Sequence, residues 1–174
     1  MNPFWIFLTF LLVQRVSELL LAKRNERVAR VKGAVEYDEK GYKVIVLMHI
    51  FFFISLISEY ILLARTLSNF WVPLLILFII AQILRYWAIS TLGYYWNTKI
   101  LVTPNTSPIR TGPYKYLNHP NYLSVILEIA VIPLIFSCYI TSMIFTLLNL
   151  VLLKRRMRIE DQALSTMKAR NIVP

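Results

Sequence analysis

The stretch GPYKYLNHPNYL, from Gly112 to Leu123, places a histidine and three tyrosines inside an otherwise apolar chain. Pro120 suits the first turn of a helix, because an amide hydrogen has no helical partner there. His119 would then lie at a helix start, where free backbone amides bind anionic or polar ligand groups. Two interpretations follow: a ligand site, or an aromatic belt at the membrane surface with His119 capping the helix.

A second polar stretch, KRRMRIEDQAL, runs from Lys154 to Leu164. On a helix, Arg156 and Glu160 are neighbours on one face. A basic cluster beside a membrane accounts for the cations, but Glu160 and Asp161 would weaken its attraction to anionic lipid. A ligand with a positive centre would explain these carboxylates, and the planar donor fork of Arg156 suits a carboxylate or enolate.

The composition excludes several classes of protein. Of 174 residues, 57% are hydrophobic, which is too apolar for an ordinary soluble domain. Cys138 is the single cysteine, and four glycines exclude a glycine-rich phosphate loop. No grouping of His, Cys and carboxylates has metal-ligand spacing, so we predict no metal. The net charge of +10 lies in clusters between apolar spans, which favours membrane lipids over nucleic acid as partners.

The apolar stretches predict the architecture. A helix needs about 20 apolar residues to cross a bilayer, and residues 3–22, 44–64 and 66–84 meet this requirement. Residues 117–153 are too long for one helix at about 1.5 Å rise per residue, so we expect two helices that turn after Pro133. The sequence thus predicts an all-α integral membrane protein with about five transmembrane helices, the last two a helical hairpin.

The basic residues predict the orientation of these helices. Seventeen of the nineteen lie in residues 23–43, 85–115 and 154–174, which are on one side of a five-span layout. By the positive-inside rule, the N-terminus is outside and the C-terminus cytoplasmic. The positive charges follow the first apolar run, so we expect a retained anchor instead of a cleaved signal peptide. Both polar stretches then lie on the cytoplasmic side.

A few charged residues fall within the predicted spans. Arg15 and Glu18 are three residues apart and are expected to neutralise each other. Glu59 lies near the outer end of its span, and we expect it to be exposed to solvent. For Glu128 two interpretations stay open: a structural pair with Arg85, or a functional carboxylate inside the membrane.

Taken together, the two polar stretches resemble the isoprenylcysteine carboxyl methyltransferase family of integral membrane enzymes, which use S-adenosylmethionine. The family pattern is Gly-x-Tyr, then Arg-His-Pro-x-Tyr-x-Gly, then Arg-x-x-x-Glu-Glu-x-x-Leu after a helical hairpin. The matching positions here are Gly112, Tyr114, His119, Pro120, Tyr122, Arg156, Glu160, Asp161 and Leu164. The segment from Arg85 to Trp96 is also similar to the family's lead-in. Asn118 replaces the motif's arginine, and Ser124 replaces its last glycine. The loss of the arginine indicates a bacterial-type branch with a different substrate, or an inactive member.

The resemblance implies a cytoplasmic cofactor pocket closed by the loop and the C-terminal helix. It assigns S-adenosylmethionine to Thr106, Ser107, Pro108, Ile109, Tyr114, His119, Pro120, Asn121, Tyr122 and Glu160. Arg156 would be the catalytic residue that holds the substrate, and His119 would be a base for an enol or phenol acceptor. The acceptor would be lipophilic and enter from the bilayer, either a prenylcysteine-like carboxylate or the enol of an alkylpyrone or related polyketide.

We accordingly expect a single domain over residues 1–174. Two N-terminal spans (1–64) would precede a catalytic core (66–174), which includes a cytoplasmic loop (91–120) and a C-terminal helix (141–170). The layout suits a bacterial plasma membrane, and the oligomeric state stays open. The alternative is a non-enzymatic membrane protein, a lipid-binding scaffold or transporter subunit, although a transporter should show repeats or paired broken helices.

Overall fold

A computed structural model describes residues 2–104, 106 and 108–170, except for the side chains of 167–170. It contains five α-helices: α1 Pro3–Val31, α2 Glu39–Leu62, α3 Trp71–Leu92, α4 Pro120–Ile135 and α5 Tyr139–Arg170. Within these described residues, three helical segments are long and apolar enough to cross a membrane: Pro3–Val31, Glu39–Leu62 and Trp71–Tyr95. The prediction of a helical membrane protein is confirmed, whereas the five spans and their orientation stay predictions.

The first helix is longer than its apolar run. It begins at Pro3, where the side chain of Asn2 accepts a hydrogen bond from the backbone of Phe4 at 3.0 Å. It continues to Val31 through residues that the sequence assigns to a basic connection. Glu26 and Arg30 lie one turn apart there and form a 2.8 Å hydrogen bond, which supports the helix beyond the apolar segment.

The turn between the last two helices lies where it was expected. The fourth helix ends at Ile135 and the fifth begins at Tyr139. In the turn, the backbone amides of Phe136 and Cys138 donate to the carbonyl of Pro133. The helical hairpin is therefore confirmed.

A short antiparallel sheet is the element that the sequence does not predict. Strand β1, Val35–Tyr37, pairs with strand β2, Ile100–Val102, with Glu36 opposite Leu101. The buried residues Ile100, Val102 and Ala163 pack with Tyr37, Ile159 and Leu164, so the sheet supports the C-terminal part of α5. Strands of three residues carry too little alternation to be recognised, which is why an all-helical fold was predicted.

The contacts divide the chain into two compact units. Unit 1 takes in Met1–Glu39, Leu92–Ile109 and Arg158–Pro174, and unit 2 takes in Lys40–Thr91 and Arg110–Met157. The expected single domain, with its own internal boundaries, stays a prediction.

Within unit 1, an ionic network joins α1 to the sheet. The ammonium of Lys99 donates to Glu26 at 2.9 Å and to Glu36 at 3.4 Å, and Arg30 pairs with both carboxylates. Burial disfavours the charged ammonium, but its bonds to the two carboxylates outweigh this and raise the pKa of Lys99. The pairing therefore stabilises the fold below the ordinary lysine pKa and is lost only as pH rises through the raised value.

Within unit 2, a buried ion pair joins α3 to α4. The Arg85 Nε atom donates to Glu128 at 2.7 Å, and Gln82 donates to the same oxygen at 2.8 Å. Arg85 is 3% exposed and Glu128 is fully buried. Of the two interpretations of Glu128, the structural pair is confirmed. The pair of Arg15 with Glu18 also forms, at 2.7 Å in unit 1.

The expectation that Glu59 is exposed to solvent was wrong. Its residue is 7% exposed, and its carboxylate accepts hydrogen bonds from the backbone amides of Ile140 and Thr141 at 3.2 and 2.7 Å. Arg65 donates to it at 3.0 Å. Glu59 therefore satisfies free amides at the start of α5. Its position near a span end could not reveal this, because the partner helix lies about 80 residues away in the chain.

The turn between α4 and α5 yields a first prediction. Burial, together with the Glu59 carboxylate, raises the pKa of the Cys138 thiol to about 12. Because the thiolate is the reactive form, we expect maleimide labelling of the folded protein at pH 8 to be roughly a thousandfold slower than that of an exposed thiol. Labelling in SDS, where the chain unfolds, is the control. A folded protein that reacts like free cysteine would contradict the buried turn.

Candidate active site

The loop before α4 is built around Gly112. This residue has φ +56°, and a β-carbon there would lie 2.4 Å from the Thr91 hydroxyl and 3.2 Å from the Trp87 indole nitrogen. Thr91 is held in place by donating to the Trp87 carbonyl at 2.8 Å. The turn Gly112–Lys115 therefore lies directly against the end of α3 within unit 2. Only glycine satisfies both the positive φ and this close approach.

His119 and Pro120 form the start of α4, as predicted. Pro120 is the first helical residue, and the backbone carbonyl of His119 accepts from the amides of Tyr122 and Leu123. The His119 side chain makes no capping hydrogen bond. Its ring instead stacks on the Tyr122 ring, with centroids 5.2 Å apart and planes inclined by 20°. His119 is thus the N-cap residue of α4, as the alternative interpretation expected, but its side chain does not supply the cap hydrogen bond.

The two polar stretches of the sequence meet at Tyr122 and Arg156. The Arg156 Nε atom donates to the Tyr122 hydroxyl at 2.9 Å, across the α4–α5 hairpin. The guanidinium carbon lies 5.8 Å from the centre of the same ring, and Arg156 is 5% exposed. The stacked ring of His119 completes a compact group within unit 2. Fixing one nitrogen of the guanidinium fixes the plane of the whole group, because it is rigid.

Asn121 adds an acceptor beside this group in the sequence. Its side-chain oxygen is buried and has no hydrogen-bond partner among the described residues. A buried acceptor of this kind costs free energy unless it is paired. It therefore suits a ligand that carries an N–H or O–H group. Tyr114 is half-buried in the same unit.

The remaining predicted cofactor residues belong to unit 1. The Thr106 hydroxyl donates to the Thr103 carbonyl at 2.7 Å, so it holds the loop in shape. Pro108 is exposed, and Ile109 and Glu160 are half-buried. Glu160 lies on the part of α5 that packs against β2 through Ile159 and Ala163. Ser107 lies outside the described residues.

Asn149 is a buried polar residue of unit 2 that lies outside both family motifs. Asn149 is fully buried within the apolar run of α5. The sequence does carry a signal for it, because Asn149 precedes Arg156 by seven residues, a spacing that places both on one helix face. A single asparagine in an apolar span is nevertheless easily interpreted as an interhelical contact.

Comparison with known proteins identifies the group to which these motifs belong. The sequence profile of the isoprenylcysteine carboxyl methyltransferase (ICMT) family matches residues 74–166. The chain belongs to this family. The match covers the buried Arg85–Glu128 pair, the loop, the α4–α5 hairpin and both motifs. The resemblance stated from the motifs is therefore confirmed.

Bacterial relatives extend the similarity beyond the profile. The chain is 46% identical over 161 residues to the uncharacterized protein YpbQ of Bacillus subtilis, covering 92% of this chain and 96% of that one. It is 28% identical over 167 residues to an uncharacterized protein of Haemophilus influenzae, with 92% and 95% covered. No solved structure matches. The bacterial-type assignment is thereby confirmed.

Membership of the family and the fold together give a coarse function. The ICMT family is a methyltransferase family whose enzymes generally use S-adenosylmethionine. Three helical segments within the described residues are long and apolar enough to span a bilayer. The protein is therefore an integral membrane protein of a methyltransferase family.

The close approach at Gly112 yields a second prediction. The Gly112→Ala variant should lose about 3 kcal/mol or more of unfolding free energy, because it combines a positive φ with a steric clash. Gly93→Ala is the matched control, since Gly93 has φ +55° but open space where the β-carbon would lie. The control should lose only about 1–2 kcal/mol. SDS-induced unfolding of both detergent-solubilised variants measures the difference, and equal losses would contradict the contact with Thr91.

Proposed function

We propose that this protein is an S-adenosylmethionine-dependent O-methyltransferase that modifies an acidic oxygen of a lipophilic acceptor. The observation that carries the proposal is the contact between Tyr122 and Arg156. It joins one residue of each family motif, 34 residues apart in the chain, within unit 2. A fixed, buried guanidinium beside an aromatic pair is suited to hold an anionic oxygen in one orientation.

The available side chains fit S-adenosylmethionine as the cofactor. Its ammonium, adenine amine and ribose hydroxyls are hydrogen-bond donors, and the buried oxygen of Asn121 is an acceptor of the right kind. Glu160 supplies a carboxylate, for which a positively charged cofactor is a suitable partner. Following the family motifs, we assign cofactor binding to Tyr114 and the turn from His119 to Tyr122, which includes Asn121, in unit 2. In unit 1 we assign it to Glu160 and to the loop that contains Thr106, Pro108 and Ile109.

The chain's own residues then have limited tasks. When bound, the cofactor supplies an electrophilic methyl group on a sulfonium. Arg156 holds the acceptor oxygen by paired hydrogen bonds, and Tyr122 fixes the plane of Arg156. An ionised carboxylate needs no base, whereas an enol would give its proton to His119. Alignment and exclusion of water then account for the rate.

Two acceptor classes suit this site. A prenylcysteine-like carboxylate and the enol of a lipidic alkylpyrone or polyketide both combine an acidic oxygen with an apolar chain. Both would enter laterally from the bilayer, between apolar helices. Asn118, in place of the motif's arginine, favours an acceptor other than a prenylated protein. The reaction would take place on the cytoplasmic face of a bacterial plasma membrane, with five spans and the C-terminus inside.

The third prediction tests cofactor binding. We expect calorimetry to detect micromolar binding of S-adenosylhomocysteine to the detergent-purified protein. Glu160→Gln and Tyr122→Ala should each weaken it at least tenfold, about 1.4 kcal/mol. Glu39→Gln removes an exposed carboxylate from the first turn of α2 and serves as the matched control.

The same experiment decides between the functions considered. Folded wild-type protein that binds no S-adenosylhomocysteine, in detergent and again in lipid nanodiscs, would overturn the enzyme proposal in favour of a lipid-binding or transport role. Binding without methyl transfer to any lipid acceptor would indicate an inactive member of the family.

The fourth prediction separates acceptor from cofactor. In Arg156→Lys the charge remains, but the planar fork and the bond to Tyr122 are lost. We expect S-adenosylhomocysteine affinity to change less than threefold while methyl transfer falls by roughly 10²-fold, a loss typical of misplaced substrate. The methyl-transfer rate is measured with labelled S-adenosylmethionine and two acceptors, a prenylated cysteine and a long-chain alkylpyrone. A variant that transfers at the wild-type rate would exclude Arg156 from the acceptor site.

A further inference from the structure

Asn149 lies on α5, and its side-chain amide is fully buried. Both its side-chain oxygen and its side-chain nitrogen are without a hydrogen bond among the described residues. The Thr146 hydroxyl, one turn earlier on α5, is also buried and has no partner in the part of the chain that the structure describes. A leucine at position 149 would avoid the free-energy cost of burying two unpaired groups, and leucines surround it in the sequence. The position therefore suggests a polar partner that is not part of the chain.

Spacing along α5 shows which way Asn149 points. Ser142, Asn149 and Arg156 follow each other at intervals of seven residues and lie on one helix face. At one end, the Ser142 hydroxyl donates to the carbonyl of Ala130 on α4 at 2.7 Å. At the other end, Arg156 donates to Tyr122 on α4. Asn149 therefore faces α4 between these two contacts, inside unit 2.

The facing part of α4 has its polar groups committed elsewhere. Ile126 lies midway between Tyr122 and Ala130, four residues from each, so by helical spacing we infer that this apolar side chain is at the level of Asn149. Glu128 is bound by Arg85 and Gln82 of α3. The Ser124 hydroxyl donates to the carbonyl of Pro120 at 3.3 Å within its own helix.

We propose that Asn149 and Thr146 form the deep end of the acceptor site and bind a neutral polar group of the methyl acceptor. Asn149 offers both a donor and an acceptor, so the group that matches it also has both, as a hydroxyl or an amide does. A neutral group fits because an uncompensated charge is too costly to bury there. Seven residues of helix correspond to about 10 Å, which is the depth of Asn149 beyond Arg156.

This inference rests on the proposed function only in taking Arg156 as the holder of the acidic oxygen. It makes Asn149 a specificity-determining residue. Lipids that carry an acidic oxygen alone would bind less well than lipids with a second, neutral polar group deeper in the bilayer. A lipid whose chain lacks such a group would leave the Asn149 amide without a hydrogen bond. The cost of that lost bond would discriminate strongly against such a lipid.

The test uses two pairs of lipid probes with the full-length protein in nanodiscs. Hexadecanamide is compared with N,N-dimethylhexadecanamide, and 1-hexadecanol with hexadecyl methyl ether; the second member of each pair lacks the donor. For the wild type, we expect at least fivefold tighter binding of the donor-bearing member in at least one pair, from ligand-dependent shifts of the unfolding temperature. The pair that is discriminated identifies the amide or the hydroxyl as the preferred group.

The variants locate this discrimination. Asn149→Leu should abolish it and, without ligand, unfold at the same or a higher temperature than the wild type. Thr146→Val should reduce the discrimination between the probes at least twofold. If Asn149→Leu does not fold, the Thr146→Val result alone tests the inference. Leu147→Ala, at an exposed position of the same helix, is the matched control and should leave the discrimination unchanged.

Two outcomes would overturn the inference. In one, the wild type binds both members of each pair equally; in the other, Asn149→Leu keeps the preference, as expected if Asn149 holds only structural water. S-adenosylhomocysteine binding in the same preparations separates the two proposals. If the wild type binds S-adenosylhomocysteine but does not discriminate the probes, only the role of Asn149 is refuted. If the wild type does not bind S-adenosylhomocysteine, the proposed enzyme function is refuted.

Discussion

The buried ion pair between Arg85 and Glu128 is the interaction on which the arrangement of unit 2 depends. An unpaired charge would be very costly at this depth, so α3 and α4 can pack only where the two side chains meet. Gln82 supplies a further hydrogen bond to the same carboxylate. This contact sets the position of α4 along α3, and with it the position of His119 and Tyr122 at the start of α4.

Two other contacts position α5 so that it reaches the start of α4. Glu59 holds the first turn of α5 through the amides of Ile140 and Thr141, and the Ser55 and Thr141 hydroxyls meet at 2.8 Å. With its start fixed by α2, the helix runs back along α4, and Arg156 arrives at Tyr122 after four to five turns. The chemistry proposed for Arg156 therefore depends on groups some 20 Å away at the opposite end of the helix.

The polar groups of unit 2 separate into two kinds. Glu59, Arg85 and Glu128 are paired within the protein, and their role is to fix helices that have little hydrophobic driving force for association in lipid. Asn121, Thr146 and Asn149 each present at least one buried atom without a partner among the described residues. Burying such atoms without a partner costs free energy, and the proposed ligands would supply the missing hydrogen bonds.

The sequence by itself determined the helices, the hairpin after Pro133, the family and the residues of both motifs, because these depend on local hydrophobicity and on residues close together in the chain. It missed the strand pairing of Val35–Tyr37 with Ile100–Val102, and it misjudged Glu59, because both involve partners more than 60 residues away. Only the tertiary structure decided that Tyr122 contacts Arg156, that Glu128 is a structural residue, and that Asn149 finds no hydrogen-bond partner among the described residues. The physical reason is that a side chain's role in a membrane protein depends on which helix faces it, and hydropathy does not record the facing partner.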